Sequence, residues 1–237
     1  MPTALIIGAG PRVGQDTAEA FAAAGYQVAV ASRKQNTSPK FPFYPFDATE
    51  PEKLPSIFEK VSVDVGIPSV IIYNAHDGGK MTPPDSPFAN GLKSFESGMR
   101  VNTTSPFIAA GEAVKCFEKL GPAQLGATGG TFIFTGNILN VTAVPGLMSF
   151  GMQKGATANM IKHLAVSIYN EKPYKFYYVD ERHEDGTYVT SDLSGTGHAA
   201  IFLELVKDAK QRPWDQTFVT GKGYVEFPVK EFLLWKA

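Results

Sequence analysis

The sequence predicts an α/β fold: a doubly wound Rossmann-type parallel sheet of about seven strands with helices on both faces. Three observations predict it. Strand-like and helix-like segments alternate along the chain. The strand-like segments are near-continuous apolar runs, as in sheets covered on both faces. Glycines cluster between the first strand and the first helix, where a nucleotide-binding turn belongs. The 237 residues fit a single domain spanning 1–237. A chain of this size buries roughly 70–75% of its unfolded surface, so its core needs no staples.

Each element has a local reason. Thr3–Gly8 is a short apolar run ending in glycine. Pro11–Ala24 reads as a helix, with proline near its start and Gly25 just past its end. Tyr26–Ala31 is apolar and β-branched, hence a strand. Phe41–Phe46 is a proline-interrupted strand, short and near an edge. Glu52–Val65 is helical and Ser69–Tyr73 is a buried strand. Pro87–Leu120 holds a long helix bent near Asn102. Thr131–Thr135 is a strand, Ser149–Asn170 a long helix and Lys175–Val179 a strand. Ser194–Gln211 is a helix and Thr217–Thr220 the last strand. His76–Asn90 and Asp180–Gly197 read as mobile loops, the second carrying the charged run Asp180-Glu-Arg-His-Glu-Asp185.

Composition excludes several functions. The net charge is −1, so no electrostatic footprint for nucleic acid or an anionic membrane exists. No segment approaches the roughly 18 apolar residues of a membrane span. The apolar start at Ala4–Ile7 lacks a basic flank, and Leu234–Ala237 is no sorting signal, so a cytoplasmic location is expected. Cys116 is the only cysteine; it reads as a small buried hydrophobe in a reducing compartment. His183 and His198 lack metal-ligand spacing, so no metal is expected. His163 and the aromatic run Phe41–Phe46 read as packing. No Walker sequence or Gly-x-Ser-x-Gly elbow is present.

Gly8, Gly10 and Gly14 lie between the first strand and the first helix. Such glycines let the backbone turn tightly against a pyrophosphate. The helix start, with Val13, then offers free N–H groups and partial positive charge. Specificity is read at the end of the second strand. An NAD site has a carboxylate there for the ribose 2′-hydroxyl. This chain has Ser32-Arg33-Lys34, a hydroxyl and cations that suit a 2′-phosphate. Arg12, inside the loop, is a further cation for the same phosphate. The expected cofactor is NADP(H).

Further motifs accumulate downstream: Phe46-Asp-Ala-Thr49, Tyr73-Asn-Ala-His76, Val101-Asn-Thr103, Phe150-Gly-Met-Gln-Lys154 and Asp185-Gly-Thr-Tyr-Val-Thr190. Together with the glycine loop they resemble a short-chain dehydrogenase/reductase, over residues 3 to about 225. The family pattern Gly-x-x-x-Gly-x-Gly falls on Gly8, Arg12 and Gly14, so Arg12 replaces its middle glycine. The resemblance implies that Asp47, followed by Ala48, contacts adenine, and that Asn74 and Ala75 line the cofactor, with His76 in place of a glycine. It implies that Asn102 is the structural and catalytic asparagine, and that Lys154 holds the ribose hydroxyls. It places Thr190 at the nicotinamide end. It puts Asn137 where the family has its serine, and Phe150 where it has its tyrosine.

Phe150 and Lys154 are four apart and share a helical face. The lysine can still hold a ribose, but Phe150 cannot protonate an alkoxide, a contribution of roughly 10²–10⁴ in rate. Asn137 can polarise a carbonyl through its amide. Three readings stay open. One is an NADPH-dependent reductase of a small carbonyl, enone or imine, with water, His76 or a tyrosine from 177–188 as proton donor. Another is a nearly inactive cofactor-binding protein serving as redox sensor or regulatory partner. The last is a shifted register, or a change particular to this chain. The pocket is expected to draw on Asn137–Phe150 (Leu139, Val144, Leu147, Met148), the 180–197 loop with Tyr188, and the C-terminal segment. That lining suits an apolar substrate. Trp214, Phe218 and Phe227 are expected to close its wall or pack between subunits. The resemblance implies a homodimer or homotetramer built on the two long helices.

Overall fold

The computed structural model describes residues 1–228. The strands are β1 (Thr3–Ile7), β2 (Gln27–Ser32), β3 (Phe43–Pro45), β4 (Pro68–Tyr73), β5 (Gly130–Thr135), β6 (Tyr174–Glu181), β7 (Asp215–Val219) and β8 (Gly223–Tyr224). The helices are α1 (Val13–Ala23), α2 (Leu54–Asp64), α3 (Gly91–Met99), α4 (Ser105–Leu125), α5 (Met148–His163) and α6 (Gly195–Lys207). The strands form one sheet in the order β3-β2-β1-β4-β5-β6-β7-β8. All neighbours are parallel except β7 and β8.

Alternation along the strands divides the core in two. Leu5, Ile71, Phe132, Phe134, Phe176 and Tyr178 face α2, α4 and α5. Ile6, Ile72, Ile133, Tyr177 and Val179 face α1 and α6. Both faces are buried, which is why the strands read as continuous apolar runs. β3 pairs only with β2, as its prolines require of an edge strand. The expected bend near Asn102 is a π-helical turn over Arg100–Thr104, joining α3 to α4. α4 breaks at Gly121 (φ +63), beside Pro122. The long helix after Ser149 likewise ends in a π-turn, Leu164–Ile168.

Three expectations are corrected. The sheet has an eighth, two-residue strand, antiparallel at its edge. The charged run at 180–185 is not wholly loop. β6 extends through Glu181, and Asp180, Glu181 and Arg182 are all buried. They fold inward because each finds a partner: Asp180 pairs with Arg182, and Glu181 accepts from the Ser194 amide (2.9 Å) and the Thr220 hydroxyl (2.6 Å). Finally, Trp214 packs on the α4–α5 side of the core and Phe218 is buried on the α1–α6 side; neither lines the pocket that opens over Phe150. Leu234–Ala237 lies outside the described residues.

Candidate active site

The strand order reverses direction between β1 and β4, so a crevice opens beyond their carboxyl ends. Its floor is tightly built. Gly8 has φ +82, and a Cβ there would lie 2.2 Å from the Ala75 amide nitrogen. The Asn74 side chain donates to the Gly8 carbonyl (2.9 Å), and the Gly8 amide to the Ala31 carbonyl (2.7 Å). A Cβ on Gly14 would meet Ala9 Cα at 2.5 Å, so this glycine lets α1 pack onto the loop. Gly10 faces open space instead. The Val13 and Gly14 amides at the start of α1 have no backbone acceptor among the described residues. A tight turn, free N–H groups at a helix start and room above Gly10 together fit a pyrophosphate.

Beside it, the end of β2 presents Ser32, whose hydroxyl donates to the Lys34 carbonyl (2.6 Å), and the exposed Arg33. Asp47 follows β3. Its carboxyl is held below the ordinary range, first by the Thr49 amide, then by the Thr49 hydroxyl and the Arg33 charge. Ala48 is buried, its carbonyl accepting from the Ser105 hydroxyl at 2.7 Å. Arg12 donates to the Ser191 carbonyl at 3.1 Å, tying the 183–194 segment to the glycine loop. Thr190, next to that contact, is exposed, and its amide donates to Asp192.

The positions expected from sequence to be catalytic converge beyond β4 and β5. Lys154 is 2% exposed. Its Nζ donates to the Thr135 carbonyl at 3.1 Å, 4.4 Å from the Phe134 ring centroid and 5.4 Å from that of Phe150. Burial pushes its pKa down to about 7, against the pull of Asp180. Asp180 is itself pushed up to about 7 by burial, opposed by Arg182. Asn137 caps a short 3₁₀ turn: its Oδ1 accepts from the Leu139 amide at 3.1 Å, leaving Nδ2 as a donor. Asn102 is fully buried, and its Oδ1 accepts from the Asp77 amide at 3.2 Å. Its Nδ2 donates to the Asp77 carbonyl (2.7 Å) and to Gln153 Oε1 (2.8 Å).

The tyrosines expected as stand-in proton donors are mostly withheld. The Tyr178 hydroxyl donates to the Asn137 carbonyl (2.7 Å) and accepts from its amide (3.0 Å), and burial drives its pKa far upward. Tyr177 is buried on the opposite face, its hydroxyl accepting from the Arg212 amide at 3.1 Å. Tyr188 is exposed and bridges Arg182. His76 sits at the crevice mouth, its pKa lowered by desolvation and then by the Lys154 charge.

A small pocket, open to solvent and with a cavity volume of about 20 Å³, lies over Phe150. Its walls come from the 77–82 segment, α3, the 146–147 turn and the first turns of α5. Of the lining expected from sequence, Leu147 and Phe150 are present; the 180–197 loop contributes nothing. The walls are largely polar, carrying Asp77, Lys80, Thr82, Asn90, Ser94, Ser149 and Gln153. Gln153 carries no signal of its own in the chain, because its partner Asn102 is 51 residues away.

A doubly wound sheet with a glycine-loop crevice at its switch point defines a nucleotide-binding α/β protein. The chain belongs to the short chain dehydrogenase family, whose model matches residues 2–172. It is 38% identical to the short chain dehydrogenase/reductase dmxR12 of Cryptosporiopsis sp. (strain 8999), over 96% of this chain and 95% of that one. It shares the fold of ElxO solved with NADP bound (TM-score 0.76, 16% identity, 92% of this chain and 96% of that one). It also shares the fold of 4-hydroxyisoleucine dehydrogenase complexed with NADH and succinate (TM-score 0.71, 16% identity, 92% and 98%). Among the described residues no helix is long and apolar enough to cross a membrane.

Proposed function

We propose that this protein is an NADP(H)-dependent oxidoreductase acting on a small carbonyl, enone or imine substrate. The observation that carries the cofactor choice is the end of β2. Arg33 stands exposed there beside Ser32, where an NAD site would place a carboxylate. Ser32 and Arg33 would hold the 2′-phosphate, the Val13 and Gly14 amides the pyrophosphate, and Lys154 the ribose hydroxyls. When bound, the dinucleotide supplies the hydride. The Nδ2 of Asn137 polarises the substrate oxygen, an oxyanion-type contribution. Phe150 contributes no proton, so the proton comes from water or His76 at the crevice mouth. The protein assembles as a homodimer or homotetramer through α4 and α5.

The test is a fluorescence titration of NADPH and NADH into wild type and Arg33→Ala. NADPH binds the wild type more tightly than NADH. Arg33→Ala weakens NADPH by about ten-fold or more, the size of a lost hydrogen bond to a charged group, and leaves NADH nearly unchanged. Equal losses for both dinucleotides would sink the NADP(H) assignment.

A further inference from the structure

We infer that Gln153 is the polar anchor of the substrate pocket, donating a hydrogen bond from Nε2 to an oxygen acceptor of the bound substrate. The inference rests on the reductase reading and deepens it by naming the substrate's chemistry. Gln153 is 3% exposed and lines the pocket one residue before Lys154. Its neighbours fix which end of the carboxamide faces the pocket. The Asp77 amide donates to one end of Asn102, so that end is Oδ1 and the other is Nδ2. The Nδ2 then donates to Gln153, so the receiving atom is Oε1. The remaining end is Nε2, with two N–H donors and no hydrogen-bond partner among the described residues.

Gly98, another pocket residue, makes room for that end: a Cβ there would stand 2.5 Å from Gln153 Nε2. The Thr103 hydroxyl donates to the Gln153 carbonyl at 3.2 Å, fixing the backbone as well. Solvent in the pocket reaches this N–H₂, and a ligand oxygen takes the place of water there. The donor is pre-positioned beside Phe150, so ordering it on binding costs little. The pocket therefore favours a ketone, carboxylate or amide oxygen at this wall. This replaces the apolar substrate expected from sequence with one carrying an oxygen acceptor.

The test is nuclear magnetic resonance on protein labelled with nitrogen-15 glutamine, with and without saturating NADP⁺. The Gln153 side-chain pair is assigned by its loss in Gln153→Met. Acetone, acetate and acetamide are titrated in turn, with trimethylammonium as the cationic control. A saturable downfield shift of one Gln153 amide proton is expected with at least one oxygen probe, and none with trimethylammonium. Gln153→Met should bind that probe about ten-fold more weakly, followed on the Ser94 amide of uniformly nitrogen-15-labelled protein. Gln153→Glu keeps an acceptor for Asn102 but turns the pocket-facing end into a carboxylate. Its probe binding should vanish at high pH and return as the carboxyl protonates, a pH dependence that a merely structural Gln153 would not create. No shift with any oxygen probe, or undiminished binding in both variants, overturns the inference. If NADPH fails to bind the wild type, the cofactor reading falls, while the titration of cofactor-free protein still decides Gln153.

Discussion

On the proposed reading, Phe150 removes a hydroxyl from a site that keeps Lys154, Asn102 and Asn137, so proton transfer is what it affects and not positioning. Phe150→Tyr therefore raises NADPH consumption with aldehydes and ketones by about 10²-fold, within the usual range for one general acid. The check is an absorbance assay over aldehydes, ketones, enones and imines. An unchanged rate in the variant on every substrate that the wild type reduces would show that the missing hydroxyl limits nothing. Lys154 makes a second prediction at this scale. Burial lowers its pKa from 10.5 in the unfolded chain to about 7. Its buried charge therefore destabilises the native state fully below pH 7. The penalty fades as pH rises toward the unfolded value. Replacing it removes that dependence. The stability of Lys154→Met relative to wild type, measured by urea denaturation, should fall by on the order of 2 kcal/mol between about pH 6 and about pH 9. A constant difference across that range would mean the lysine stays charged in the native state up to about pH 9, its pKa not lowered by burial.

At the scale of elements, the turn after β1 carries the crevice. Gly8 combines a left-handed φ of +82 with backbone 2.2 Å from where a Cβ would stand. Gly8→Ala is expected to destabilise the fold by more than about 2 kcal/mol and to abolish dinucleotide binding, read by thermal unfolding and by titration. That turn was legible in sequence, because the strand, glycine and helix signals are local. So was the edge position of β3, which follows from its prolines. The π-turns at Arg100–Thr104 and Leu164–Ile168 were not visible beyond a bend near Asn102, since a single inserted residue barely disturbs helical periodicity. The buried end of β6 was misread for a different reason. Charge in sequence signals solvent, and the partners that bring Asp180, Glu181 and Arg182 inside lie partly in α6 and just after β7. The site shows the same division. The Phe150–Lys154 spacing is local and legible, whereas Gln153 gains its role from Asn102 and Gly98, each more than fifty residues earlier.

At the scale of the whole molecule, the outer faces of α4 and of the α5 segment leave large apolar side chains in solvent. Phe107 is 63% exposed, Met152 54%, Val166 53% and Ile168 58%. These side chains would be covered in the proposed homodimer or homotetramer, which gives the proposal a test. Sedimentation is expected to give at least a dimer for the wild type, and a monomer for Phe107→Glu combined with Val166→Glu, with the circular dichroism spectrum retained. A monomeric wild type at micromolar concentration would remove the proposal. The paired charges at the end of β6 also bear on how the chain tolerates recombination. Asp180 faces α5 while Glu181 faces α6, so each carboxylate is wired to a different helix layer. A chimera that imported a relative's last strand and final helix would orphan the Glu181 carboxylate, whose partners are Ser194, His198 and Thr220, while Asp180 keeps Arg182. Exchange across this seam therefore succeeds only when the two halves of each pairing travel together.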